Sequence, residues 1–266
     1  MYEEYFGFTK TPFLRDIDVK KLYLYEDFQE LKSRLKYAID NRLFAAVTGE
    51  VGIGKSTAIR AVVDDINPVS HKVIYISQSD MSPKSFYNEI LEQLDIEPSY
   101  FKPEAKRMVN KAVMDMYQHG KTAIIIIDEA HLLTEKMLEE VRFLVNFNMD
   151  SLSPLCLILV GQPELSELLS GYSMRAISQR ITIRYSLKEL DLQSVEDYIR
   201  THIKAAGSSS ELFTSEAIKE IHCFSAGIPR KINLICDKSL LHCFMSKTKI
   251  VDDIVVKRII KTELEN

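Results

Sequence analysis

The segment GEVGIGKST, residues 49–57, places three glycines before a lysine and two hydroxyl residues. It matches the pattern G-x-x-x-x-G-K-[ST], in which backbone N–H groups surround a phosphate and glycine permits the close approach. The helix that begins near Lys55 directs the positive end of its dipole at the same anion. The sequence therefore predicts a nucleotide phosphate site formed by Gly49, Glu50, Val51, Gly52, Ile53, Gly54, Lys55, Ser56 and Thr57.

A second element is IIIIDEAH, residues 124–131, in which an apolar run ends in two carboxylates. Such an acidic pair is costly to desolvate unless cations or solvent lie nearby. We expect Asp128 to join the Ser56 hydroxyl in the Mg²⁺ shell, and Glu129 to orient and polarise the attacking water. Lys55 should contact the β- and γ-phosphates. The two elements together predict Mg²⁺-dependent hydrolysis of a nucleoside triphosphate, and we expect His131 to be a solvated or packing residue.

Four further residues carry weaker signals. Gln162 follows a predicted strand, where its amide could reach the γ-phosphate or the lytic water, although a Gly-Gln-Pro turn needs no function. Arg175 and Arg180 precede the last predicted strand. The sequence does not show whether either arginine lies near the phosphate that its own subunit binds. Arg230 lies in the first turn of a predicted helix, where positive charge is locally unfavourable. An external anion would explain that arginine, and an ordinary surface arginine is the alternative.

Composition limits the class of protein. The chain has 266 residues, of which 46% are hydrophobic, and a net charge of −4. No apolar stretch approaches the roughly 18–20 residues that span a bilayer, and the N-terminus lacks the features of a secretory signal. The four cysteines suggest reduced thiols. We therefore expect a cytoplasmic protein with no membrane segment, and the charge argues against a wholly basic nucleic-acid binder.

The elements that must position these residues alternate along the first part of the chain. Continuous apolar runs predict strands at 43–48, 72–77, 122–127, 155–160 and 181–185. Helical periodicity occupies 55–66, 83–95, 104–118 and 134–147, and after residue 190 only helices are predicted, near 192–206, 214–224, 229–245 and 250–263. The sequence predicts an α/β P-loop NTPase fold with a five-stranded parallel sheet covered by helices, in residues 1–190, and a helical domain in 191–266.

Five motifs in order carry a family resemblance: TGEVGIGKST, IIIIDEAH, VGQPEL, QRI and SAGIPRKINLICDKSL. With the opening YFGFTKTPF and LYLYEDFQELKSRLKYAI, they make the chain resemble the ExeA-like branch of AAA+ ATPases over essentially its whole length. The resemblance implies a homo-oligomer with ATP at subunit interfaces and a C-terminal all-helical AAA+ lid domain. It gives Gln162 the sensor-1 place, Arg230 the sensor-2 place, and Arg180 the place of the arginine finger, with Arg175 in reserve.

The same resemblance bears on the N-terminal segment. The aromatic side chains Tyr5, Phe6, Phe8 and Phe13 would pack near the adenine, or would simply dock an N-terminal arm. Both alternatives remain open at this stage.

The biological role is divided between two branches. Secretion ExeA proteins continue into a membrane helix and a peptidoglycan-binding module, and the chain shows neither before Asn266. The stand-alone form resembles transposition helpers of the TniB, Mu B and TnsC type, which implies a transposase partner and ATP-dependent assembly on double-stranded DNA. Lys84 matches the loop where those helpers contact DNA, and Lys102 and Lys106 lie in a basic segment. We expect the transposition role, with a secretion ATPase or a regulatory ATPase as alternatives.

Overall fold

A computed structural model describes residues 2–14, 17–77, 81–147 and 152–264. The chain divides into two compact units. The α/β unit contains Gln29–Val51 and Lys55–Leu187. The second unit is mainly helical and contains the N-terminal segment up to Phe28, Gly52–Gly54 and Lys188–Asn266.

The α/β unit contains a five-stranded parallel sheet, in the order β2-β3-β4-β1-β5. The strands are β1 (Phe44–Thr48), β2 (His71–Ile76), β3 (Thr122–Ile127), β4 (Leu155–Val160) and β5 (Ile183–Ser186). Every residue of β1, β3 and β4 is buried, which is why these strands are continuous apolar runs instead of alternating ones. The predicted sheet is confirmed, although β5 begins later than predicted.

The helices of the described residues follow the predicted alternation. They are α1 (Tyr2–Phe6), α2 (Glu26–Asp40), α3 (Lys55–Asp64), α4 (Pro83–Gln93), α5 (Lys102–Gln118), α6 (Glu135–Leu144), α7 (Glu164–Ser170), α8 (Arg175–Ser178), α9 (Leu192–Ala205), α10 (Ser215–Ser225), α11 (Pro229–Met245) and α12 (Asp253–Ile259). Ser82 and Thr134 cap α4 and α6, because each side chain accepts a backbone N–H of the first turn. Within the described ranges, no helix combines the length and apolar content that a membrane crossing requires.

The N-terminal segment packs in the helical unit. Tyr2, Phe6, Phe8 and Phe13 are buried in the same apolar core as residues of α9 to α12. The Tyr2 hydroxyl also donates a hydrogen bond of 2.6 Å to Asp237 in α11. The domain boundary at residue 190 stays a prediction; in the structure, the N-terminal segment up to Phe28 groups with Lys188–Asn266 instead of with the α/β unit. Contacts between segments so far apart in sequence leave no local signal.

A buried histidine makes this helical core sensitive to acid. His202 in α9 stacks on Phe13 at 5.3 Å and lies 4.3 Å from Tyr198, measured between ring centroids. Burial lowers the pKa of His202 from 6.5 to about 4. His202 is protonated more easily in the unfolded chain than in the folded one. The stability that the neutral, buried His202 contributes is therefore complete above pH 6.5 and is lost as the pH falls toward 4.

We expect the free energy of unfolding to fall by on the order of 2 kcal/mol from this histidine between pH 7.5 and pH 5. Chemical denaturation of the wild type and of His202→Phe at both pH values measures it, since phenylalanine keeps the ring without the proton site. The variant should lose that part of the pH dependence. His119→Gln, at an exposed side chain, is the control and should retain it. Equal pH dependence in wild type and His202→Phe would contradict the assignment.

Candidate functional site

The loop between β1 and α3 has the backbone of a phosphate-binding loop. Gly52 and Gly54 have φ values of +81° and +112°, a backbone conformation that residues other than glycine rarely adopt. Between them Ile53 is buried, so that it anchors the loop. Gly52 and Arg230 both belong to the helical unit, and a Cβ at Gly52 would lie 2.6 Å from the Cβ of Arg230. Both glycines are therefore required by the conformation of the loop.

Lys55 is the first residue of α3, and its side chain folds back over the loop. Its ammonium group donates hydrogen bonds to the carbonyl oxygens of Gly49, at 2.7 Å, and Glu50, at 3.0 Å. The residue is buried, with 8% of its surface exposed. The arrangement holds a positive charge within the loop at the N-terminus of a helix, where an anion is favoured.

Asp128 follows β3 at the carboxyl edge of the sheet and is buried. Its Oδ1 accepts the Glu129 N–H at 2.8 Å, and its Oδ2 accepts the Tyr75 hydroxyl at 2.5 Å. The Ser56 hydroxyl lies 3.3 Å from the same Oδ2. The structure thus brings together Ser56 and Asp128, the two predicted metal ligands. A hydroxyl and a carboxylate are oxygen ligands of the kind that Mg²⁺ prefers.

Tyr75 is a site residue that the sequence analysis did not identify. Burial and the hydrogen bond to Asp128 raise the pKa of its hydroxyl well above 10, so the group remains a proton donor at neutral pH. An aromatic residue in a strand gives no functional signal by itself. Its proximity to Asp128 follows from the pairing of β2 with β3.

Glu129 has a left-handed backbone, with φ of 50° and ψ of 35°, and its side chain is 48% exposed. Its carboxylate lies 3.6 Å from Nδ1 of His131, whose side chain is largely buried. The same Nδ1 is 3.4 Å from the backbone N–H of Gln162. His131 therefore lies between the predicted water-orienting residue and the predicted sensor, and it has polar contacts that its expected role as a solvated or packing residue did not include.

The remaining candidate arginines lie elsewhere. Arg180 donates a hydrogen bond of 3.1 Å to the Arg142 carbonyl and lines a cavity of about 180 Å³ with Phe44 and Leu155. These two residues begin β1 and β4, so Arg180 is at the amino edge of the sheet, opposite Asp128. Arg175 is exposed, 4.5 Å from the Tyr172 ring. Arg180 therefore lies away from the phosphate site of its own chain.

Arg230 begins α11 together with Pro229, and its side chain is exposed. Its backbone N–H donates to the Gly52 carbonyl at 3.2 Å within the helical unit. The structure thus connects Arg230 to the loop glycine through the backbone.

The three candidate DNA-binding lysines have partners within the chain. Glu140 in α6 is buried, and its carboxylate accepts hydrogen bonds from Lys102 and from Lys106, the latter at 3.2 Å. The Tyr87 hydroxyl donates to the same carboxylate at 2.9 Å. Lys84 is exposed and lies 5.0 Å from the Tyr100 ring centroid. Because Lys102 and Lys106 neutralise a buried acid, the basic segment offers less free positive charge than its composition suggests.

Comparison with known sequences gives a match to a family model and a match to a curated relative. Residues 38–169 match the model of the AAA domain. The chain is also 33% identical, over 249 residues, to general secretion pathway protein A of Aeromonas hydrophila. The alignment covers 92% of the chain and 45% of that protein, so the chain spans less than half the length of this relative.

Solved structures agree on the fold. The chain matches the Drosophila ORC bound to DNA with a TM-score of 0.73 at 17% identity, over 93% of this chain and 63% of that one. It matches Cdc6p from Pyrobaculum aerophilum with a TM-score of 0.70 at 14% identity, over 90% of this chain and 67% of that one. The likeness shows the P-loop AAA+ fold with a helical C-terminal part.

Proposed function

We propose that the chain binds ATP with Mg²⁺ and hydrolyses it, on the basis that residues 38–169 match the model of the AAA domain. The observation that carries the proposal is the meeting of Ser56 with Asp128, 3.3 Å apart, beside the loop that encloses Lys55. Lys55 would contact the β- and γ-phosphates, and the Ser56 hydroxyl and Asp128 would hold Mg²⁺. Mg²⁺ supplies charge neutralisation at the phosphates when it is bound.

Glu129 is the residue that we propose to orient and polarise the attacking water. Its side chain is accessible, and His131 separates it from the backbone of Gln162. A carboxylate beside a bound γ-phosphate accepts the proton that the water loses. Gln162, half-buried at the end of β4, would place its amide near the same water. Arg230, in the first turn of α11, would contact phosphate when the nucleotide is bound.

We further propose that the site is shared between copies of the chain. Arg180 lies at the amino edge of the sheet and so lies away from the phosphate site of its own chain. A homo-oligomer would place it against the γ-phosphate held by a neighbour, where an arginine stabilises the developing charge. Arg175 is the alternative donor.

Phosphate release per subunit, measured over a range of protein concentrations with Mg²⁺ or with EDTA, tests both parts of this proposal. We expect release that requires Mg²⁺ and that rises per subunit as concentration increases, since assembly completes the site. Release at a constant rate per subunit would contradict the shared site. The absence of Mg²⁺-dependent release at every concentration would contradict the ATPase function itself.

For the biological role we propose an ATPase of the secretion-pathway protein A type. The support is 33% identity over 92% of the chain, which favours this role over the transposition helper that the sequence analysis expected. The ion pairs of Lys102 and Lys106 with Glu140 also weaken the expected DNA surface. Neighbouring genes discriminate between the two roles: secretion components would support the proposal, whereas an integrase-like transposase would restore the transposition role and its DNA and transposase partners.

A further inference from the structure

We propose that Tyr75 and Gln93 position the Asp128 carboxylate for Mg²⁺, an inference that rests on the ATPase function proposed above. Tyr75 is a positioning residue in this proposal, since it acts on the metal through Asp128. Gln93 acts one step further away, through the backbone of Tyr75. Five hydrogen bonds within the α/β unit support this inference.

The first step is the placement of Tyr75 beside Asp128. In the parallel pairing of β2 with β3, Tyr75 is opposite Ile126, two residues before Asp128. Its neighbours Ile74 and Ile76 are fully buried in the apolar core, whereas Tyr75 is 39% exposed. Side chains alternate along a strand, so Tyr75 projects from the other face. The ring thereby brings its hydroxyl within 2.5 Å of the Asp128 Oδ2.

The second step is the way in which Gln93 holds Tyr75. β2 is an edge strand, so one row of its backbone groups has no neighbouring strand. Gln93, the last residue of α4, fills this place at Tyr75 with its side-chain amide. Its Oε1 accepts the Tyr75 N–H at 2.9 Å, and its Nε2 donates to the Tyr75 carbonyl at 2.8 Å. Glu89 orients the amide by accepting a second Nε2 bond at 2.7 Å.

The third step concerns the carboxylate itself. The Glu129 N–H binds Oδ1, and the Tyr75 hydroxyl binds Oδ2, so each oxygen of Asp128 is held from a different element. A ligand that is already oriented loses less freedom when a metal binds, and partners that orient ligands change metal affinity by about 10- to 100-fold. Oδ1 keeps a second lone pair, and the other donor to Oδ2 is the Ser56 hydroxyl, which is itself the second proposed metal ligand, so the bonds from Tyr75 and Glu129 leave capacity for the metal.

We expect Tyr75→Phe to raise the Mg²⁺ concentration needed for half-maximal effect on nucleotide binding by about 10-fold. The measurement is fluorescence titration of N-methylanthraniloyl-ATP binding against Mg²⁺, which requires no turnover. The dissociation constant of the analogue in EDTA should stay within about 2-fold of the wild-type value, because the ring remains and only the hydroxyl donor is removed. Tyr37→Phe, which alters an exposed tyrosine of α2, is the matched control and should behave as wild type.

Gln93→Leu tests the second part of the proposal. It should shift the Mg²⁺ requirement in the same direction, and the double variant Tyr75→Phe/Gln93→Leu should shift it no further than Tyr75→Phe alone, because both residues act through one hydroxyl. Additive shifts would overturn the role of Gln93. An unchanged or lowered Mg²⁺ requirement in Tyr75→Phe would overturn the role of Tyr75, while a wild type that binds no analogue would overturn the proposed function as well.

Discussion

Glu129→Gln should bind ATP about as tightly as the wild type and hydrolyse it about 100-fold more slowly or worse. Glutamine keeps the size and shape of the side chain but is not basic enough to accept a proton from water. Glutamate and glutamine would adopt the same left-handed backbone at position 129, with φ of 50°, so the substitution adds no new backbone strain. Single-turnover phosphate release measures hydrolysis, and titration with labelled nucleotide measures binding.

Glu139→Gln is the control for Glu129→Gln, because it makes the same chemical change at an exposed acid in α6. It should retain wild-type turnover. Turnover near the wild-type rate in Glu129→Gln would remove this residue from the base role. A loss of nucleotide binding in Glu129→Gln would instead show that the carboxylate supports the site before any chemistry occurs.

Lys55→Ala should weaken nucleotide binding by at least about 30-fold, because removal of one member of a buried charge pair costs about 2–5 kcal/mol. The ammonium group is the cation within the loop, where it lies 2.7 Å from the Gly49 carbonyl. The comparison of Lys55→Ala with Lys55→Met separates the lost charge from the lost aliphatic chain. Calorimetric titration with ATP and Mg²⁺ measures both variants.

The loop carbonyls of Gly49 and Glu50 also lose their donor in these variants, so thermal unfolding must be measured beside binding. Lys136→Ala, at an exposed lysine of α6, is the control and should keep wild-type affinity. Tight binding of ATP by a folded Lys55→Met protein would contradict the assigned contact with the phosphates.

The parts of the structure that sequence predicted well depend on local patterns. The runs TAIIII and LCLILV became β3 and β4 with the predicted bounds, because strands covered on both faces require continuous apolar residues. The conformation of the phosphate loop could likewise be predicted, since its glycines reflect backbone angles that are set locally. Asp128 could be placed beside Ser56 because the carboxyl ends of parallel strands share one edge of the sheet.

The parts that sequence did not predict depend on contacts between distant segments. Lys106 and its partner Glu140 are 34 residues apart, so the sequence alone does not reveal that this lysine is paired with an acid. Tyr75 and Asp128 are 53 residues apart, and only the order of the strands brings them together. Tyr2 and Asp237 are 235 residues apart, so sequence gives no signal that the N-terminal segment packs with α11.

The two hydrogen bonds between the Gln93 amide and the backbone of Tyr75 in β2 have a consequence for solubility during folding and assembly. An uncovered edge strand is a template on which another chain can add its own strand, and this is a common start of aggregation. By occupying both outward backbone groups of Tyr75, Gln93 removes two of the hydrogen-bonding positions that such an intruding strand would use. Gln93→Leu protein would therefore expose a longer stretch of open sheet edge, and one glutamine would protect the fold as well as position its metal ligand.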